Sequence, residues 1–322
     1  MATSKKAERP RGVLVLGEVL CDLFPPKSGV PFVKAASLVP RLGGAPANVA
    51  VQVARMGVRS GLVSALGTDP LGDRMLAELK GEGVEVGHVQ RRASHRTGVT
   101  LVEVDGDGER RFYPLVERRS DLSLCEADVV PAYVRSFAVV HTGTVTLRAA
   151  SSRAAQQRFV SEARAAGRLV SLDVNLRWGM YATRDELLRR ARAALKTADV
   201  VKATREEALA LLGASARVSN AKLVERLLAA GPRLVFLTLD AAGAVVANGR
   251  ASLSVPSPKV KVVDATGAGD AFLGVALAKL AELRATPEAV DAGALAELGH
   301  AACRAGAACC TALGATTAMP RR

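Results

Sequence analysis

The chain has 322 residues, 49% hydrophobic, 23% charged and 3% aromatic, with 44 Lys plus Arg against 31 Asp plus Glu, a formal net charge of +13. This balance describes a globular protein with an aliphatic core and excludes a disordered one; no run of about 18 apolar residues is available to span a membrane, and MATSKKAERPRG lacks the apolar stretch of a signal peptide. The basic residues are scattered, from Lys5 and Lys6 to Arg321 and Arg322, with few aromatics between them, so no nucleic-acid partner is expected.

In chain order, RGVLVLGEVL predicts a buried first strand at 12–17, and 18–42, with Pro25-Pro26, Gly29 and Pro31, reads as irregular. GGAPANVAVQVARMGV is a Gly-Gly turn followed by a helix, SGLVSALG a short strand, and LGDRMLAELKGEGV an amphipathic helix that stops at Gly81 or Gly83. Arg91, Arg92 and Arg96 fall in a loop. TGVTLVEV at 97–104, the turn Asp105-Gly106-Asp107-Gly108 and ERRFYPLV form a hairpin outside the main sheet. FAVVHTG, RLVSLDVN, DVVKAT and RLVFLTLD are strands, separated by helices at 149–166, 184–197, 205–212 and 219–230. Apolar strands alternating with helices predict an α/β fold, a mostly parallel sheet covered on both faces. Ligands of such sheets bind beyond the carboxyl ends of the strands.

Five cysteines, Cys21, Cys125, Cys303, Cys309 and Cys310, and four dispersed histidines give neither a disulfide framework nor a zinc site. A reduced, soluble, cytoplasmic protein is expected, with residues 1–11 a disordered tail of no assigned role.

Residues 263–277, VDATGAGDAFLGVAL, run from a strand end through a Gly-rich turn into an apolar helix. Bare backbone N–H groups at such a turn, and the helix dipole, attract an anion. Asp270 stands at the same end, where it would repel the anion unless it takes a proton from a nucleophile attacking a phosphate. The plainer role is a helix cap. No G-x-x-x-x-G-K-[ST] loop is present.

DATGAGDAF and GGAPANVAVQVARMG, in this order and separation, resemble the two signature segments of the PfkB-type carbohydrate kinases, the ribokinase/fructokinase family. GEVLCDLFP, DVNLR, TREE and GATTAMP extend the likeness over about residues 12–320. The resemblance implies a ribokinase-like domain over 12–322, with segments near 18–42 and 97–116 forming a small β lid. It makes Asp270 the catalytic base and Gly267, Ala268 and Gly269 the anion hole. It gives sugar contacts to Asp22, Gly43, Gly44, Asn48 and Arg177, and nucleotide contacts to Thr238, Gly243 and Lys202. Asp240 stands where the family commonly has Gly. Glu207, in Thr204-Arg205-Glu206-Glu207, would hold magnesium through water, although Thr-x-x-Glu is equally a capping box and Thr204 replaces the family's Asn. Asp264 and Thr266 would hold a monovalent cation such as potassium. The lid sheet, with exposed edges, suggests a homodimer.

The implied activity is ATP-dependent phosphorylation of a primary sugar hydroxyl, fructose to fructose 6-phosphate. The alternatives are 2-keto-3-deoxygluconate, with Arg177 facing its carboxylate, another sugar or nucleoside of the same family, or a catalytically silent regulatory homologue.

Overall fold

The computed structural model describes residues 10–104, 110–283 and 286–322. The turn expected at 105–108 and most of the N-terminal tail lie outside them.

In chain order the elements are β1 (Val13–Leu16), β2 (Leu20–Phe24), β3 (Val39–Gly43), α1 (Ala45–Arg55), β4 (Ser60–Gly67), α2 (Pro70–Gly81), β5 (Glu85–Arg92), β6 (Gly98–Val104) and β7 (Arg110–Pro114). Then come α3 (Pro131–Arg135), β8 (Val139–Thr142), α4 (Ala150–Ala165), β9 (Leu169–Asp173), α5 (Arg184–Leu195), β10 (Val200–Thr204), α6 (Arg205–Leu212) and α7 (Asn220–Ala229). The chain closes with β11 (Leu234–Thr238), β12 (Ala244–Asn248), β13 (Ser252–Val255), α8 (Ala268–Leu283) and α9 (Ala292–Cys309).

Nine strands form one sheet in the order β13-β12-β11-β10-β9-β8-β1-β4-β5. Its pairs are parallel except β11 with β12 and β12 with β13 at one edge. Alternation along β1 sorts the core. Val13 and Val15 pack with residues of α1, α8 and α9, whereas Leu14 and Leu16 pack with Ala155 and Phe159 of α4. This period of two buries both faces of the strand. On the α4 side, residues of α5, α6 and α7 cover β9, β10 and β11.

A second sheet has the order β3-β2-β6-β7. Here the sequence reading needs correction: the segment 18–42 contains two regular strands, and β2 pairs antiparallel with β3 and parallel with β6. Pro25, Pro26 and Pro40 concealed the pattern, yet Pro40 sits on the edge strand β3, where a missing N–H breaks no ladder. Arg91 and Arg92 also belong to a strand, β5, rather than a loop. The hairpin strands β6 and β7 lie outside the main sheet, as their break in the β-then-α rhythm predicted.

Candidate active site

Two short connections carry one wall of the site. Beyond β1 the chain turns at Gly17 into β2, which brings Glu18 and Asp22 into the interior, 4% and 5% exposed. β3 then runs antiparallel to β2 and ends at Gly43, before Gly44 caps α1 at φ 95°. Both glycines are required by close approach. A Cβ at Gly43 would lie 2.2 Å from Asp22 Oδ2, and one at Gly44 would lie 2.4 Å from the Glu18 carbonyl oxygen.

One turn into α1, Asn48 is buried. Its Nδ2 donates to Asp270 Oδ2 at 2.8 Å, while Oδ1 is buried without a hydrogen-bond partner. Asp270 lies in the first turn of α8. The helix is buried nearly all round because its sequence is apolar on every face, so this carboxylate is carried into the interior with it. Burial pushes Asp270 up to about 6, with Asp173 adding to the rise. The Asn48 hydrogen bond and the Lys202 and Arg177 charges oppose it.

The turn before α8 is closely packed. Gly267 has φ 81°, a conformation only glycine adopts readily, and a Cβ there would be 2.8 Å from Ala315. The first-turn N–H groups of a helix have no intrahelical acceptor. Lys202 approaches this turn from β10: its Nζ is 2.8 Å from where a Cβ on Gly269 would stand. It pairs with Asp173 at the end of β9, at 3.2 and 3.3 Å to the two carboxylate oxygens. Burial works to lower the Lys202 pKa, but Asp173, Glu207 and Asp270 together carry it above the ordinary lysine value. A positive charge is thus fixed beside the Gly-rich turn.

Arg177 follows β9 and is exposed, with its guanidinium 5.7 Å from the Phe112 ring centroid on β7. Its charge works to lower the pKa of Glu18, Asp22 and Asp270. Asp22 is nevertheless raised to about 7, chiefly by burial.

Glu207 forms the capping box that Thr-x-x-Glu predicts, with Oε2 accepting from Thr204 N at 2.9 Å. Its Oε1 accepts from Leu176 N at 3.0 Å, tying α6 to the DVNLR segment. Each carboxylate oxygen keeps a second lone pair for a water. Asp264 is fully buried; Oδ1 accepts from Thr266 N and Oγ1 at 2.8 and 2.6 Å, and Oδ2 from Gly314 N at 2.8 Å. The Thr266 and Ala315 carbonyls nearby face the Cys309 thiol, a weak donor. Carboxylate and carbonyl oxygens of this kind are the donors that hard cations take.

Thr238 ends β11 beside Thr204, the last residue of β10, and Gly243 packs with a would-be Cβ 2.0 Å from the Val255 carbonyl oxygen. Asp240, in place of the family's Gly, has φ 49°, the left-handed conformation that glycine adopts without strain.

The sequence reading did not include Glu18, Arg119 or Asp121. Glu18 is pushed up to about 7, first by burial and then by Asp121, and its Oε2 is buried without a partner. Arg119 forks onto Asp121 at 2.9 and 2.6 Å, both side chains being buried. Glu18 stood in GEVLC, and a Glu in an apolar strand-to-strand turn is the signal that could have marked it. Arg119 and Asp121 lay among other charges without distinction.

The pfkB carbohydrate kinase family matches residues 11–322, and the chain belongs to this family, a group of sugar kinases. It is 36% identical over 310 residues to the fructokinase of Salmonella typhimurium, covering 96% of each chain. The structure resembles the fructokinase of Vibrio cholerae solved with fructose, ADP and calcium, with a TM-score of 0.86 at 31% identity and 97% of each chain covered. A double mutant of that enzyme holds fructose, ADP and potassium, with a TM-score of 0.86 at 30% identity, covering 97% of this chain and 96% of that one. The aminoimidazole riboside kinase of Salmonella enterica, solved with its riboside and an ATP analogue, is similar too, with a TM-score of 0.83 at 31% identity over 96% of this chain and 97% of that one. Among the described residues no helix is long and apolar enough to cross a membrane.

Proposed function

We propose that the protein is an ATP-dependent fructokinase, forming fructose 6-phosphate and ADP. The observation that carries this reading is the Asn48–Asp270 hydrogen bond, which joins the two signature segments at one point. The names of the similar enzymes support fructose as the acceptor.

In this reading Asp22, the Gly43-Gly44 backbone and Asn48 hold the sugar hydroxyls, and Arg177 covers them. The primary hydroxyl lies against Asp270. As its oxygen bonds to the γ-phosphorus, the bond from that phosphorus to the ADP oxygen breaks and the proton passes to the Asp270 carboxylate. Such a base contributes about 10²–10⁴-fold. Charge developing on the transferred group is met by the N–H groups of Gly267, Ala268 and Gly269, with Lys202 beside them. Thr238 and Gly243 lie along the nucleotide.

Magnesium, held through water by Glu207, would neutralise charge between the terminal phosphates. Potassium at Asp264, Thr266 and the neighbouring carbonyls would keep the anion turn in shape. The second sheet acts as a lid that excludes water, the competing acceptor. Exposed Phe112 and Tyr113 of β7, with exposed Val33 and Leu115 in the segments that flank the strands, support a homodimer through this sheet, in the cytoplasm.

A second reading has one observation in its favour. The Arg177 guanidinium makes no hydrogen bond among the described residues and could meet the carboxylate of 2-keto-3-deoxygluconate. ATP turnover against fructose, 2-keto-3-deoxygluconate, ribose, aminoimidazole riboside and no acceptor tests both. Fructose-dependent turnover supports the first reading, and preference for the keto-acid supports the second. Binding of nucleotide without turnover of any acceptor would leave the silent homologue.

A further inference from the structure

We propose that Arg41 is a positioning residue through which the sugar-binding strand pair sets the shape of the anion turn, so that sugar and nucleotide binding are coupled. The proposal rests on the site assignment above.

Arg41 lies on β3 directly opposite Asp22 on β2. Opposed residues of an antiparallel pair share one face of the sheet, and Gly43, against which Asp22 packs, lies two residues along on the same face. The Arg41 side chain leaves this sheet and reaches the last segment of the chain. Its Nη1 donates to Thr317 Oγ1 at 2.9 Å, and its Nε is buried without a hydrogen-bond partner. Its Cδ lies against Gly314, where a Cβ would be 2.5 Å away.

The segment so held continues to the anion turn by two direct contacts. Gly314 N donates to Asp264 Oδ2 at 2.8 Å, and Asp264 in turn fixes Thr266. Ala315 packs on Gly267 closely enough that no side chain fits there. The path from Asp22 to Gly267 therefore runs from a register pair of β2 and β3 through one long side chain and one short loop. The far half of the loop is anchored separately: Arg55 of α1 donates to the Thr316 and Met319 carbonyls at 2.5 and 2.9 Å and forks onto Glu82. Loss of Arg41 thus frees the loop's contact with β3 while the chain end stays docked. Coupling of this kind is reciprocal between the two ligands.

Amide hydrogen exchange of the ligand-free full chain tests the contact path, comparing wild type with Arg41→Ala, Thr317→Val and Arg41→Lys. Exchange across 264–270 and 311–317 is expected to rise about tenfold in Arg41→Ala and Thr317→Val, with 13–16 and 169–173 unchanged, and to return toward wild type in Arg41→Lys. Calorimetry of ADP binding with and without fructose tests the coupling. Fructose is expected to tighten ADP about tenfold in wild type and less than twofold in Arg41→Ala. Faster exchange confined to 39–43, no change in exchange, or an equal response to fructose in wild type and Arg41→Ala overturns the proposal. A wild type that does not bind fructose counts against the substrate reading alone, and the exchange pattern then decides the Arg41 path by itself.

Discussion

Asn48 of α1 donates to Asp270 of α8 at 2.8 Å across 222 residues of chain. The bond favours the charged carboxylate, against the burial that raises its pKa to about 6. Asn48→Ala removes that support. The acid limb of the kcat/KM profile for sugar is expected to move to higher pH, and kcat at neutral pH to fall. A pH–rate profile of the variant checks both.

The wild-type profile follows from the same burial. Asp270 must be ionised to accept a proton, so activity is expected to decline as pH falls through about 6. Arg177 lowers the pKa of Asp22 and Asp270, so Arg177→Gln is expected to shift the decline upward in pH. An unchanged limb in Arg177→Gln would remove its charge from the site.

Stability of the ligand-free chain carries the opposite sign. Glu18 and Asp22 are raised to about 7 and Asp270 to about 6, so the folded chain binds protons that the unfolded chain has released. Their contribution is full below the ordinary carboxylate pKa of about 4 and is lost as pH rises through about 6–7. Asp22→Asn is expected to melt higher than wild type at about pH 8, by about 2 °C or more, with the gap closing at about pH 4. Thermal melts at the two values read this directly.

Gly43 tests where the sugar sits. A methyl group there overlaps Asp22 Oδ2 at 2.2 Å and must displace it. Gly43→Ala is expected to raise KM for sugar about tenfold or more, an effect of about 1.4 kcal/mol, with a smaller rise in KM for ATP through the coupled strand pair. An unchanged KM for sugar would place Asp22 elsewhere in the reaction.

How much of this was legible in the sequence differs between its parts. The parallel sheet was plain because β1, β8, β9, β10 and β11 are short apolar runs with helices between them, and tertiary packing followed the pattern. β2 and β3 were not, because Pro25, Pro26 and Pro40 signal irregular chain unless the edge position of β3 is known. Asp270 and Asn48 stood out because unusual residue types sit in Gly- and Ala-rich segments. Lys202 was named, but its pairing with Asp173 required the parallel register of β9 and β10, which sets Lys202 beside Asp173. Arg41 carries no local signal at all, since its partner Thr317 is 276 residues away.

The most direct test of the account is the turnover of Asp270→Asn with fructose and MgATP, beside calorimetric binding of fructose to the same variant. The substitution keeps the shape of the side chain and an oxygen to accept from Asn48, and removes the base. The account predicts a fall in kcat of about 10²–10⁴-fold with fructose affinity retained. A kcat within about threefold of wild type, with binding intact, would contradict it, because no other group has been placed to take the proton.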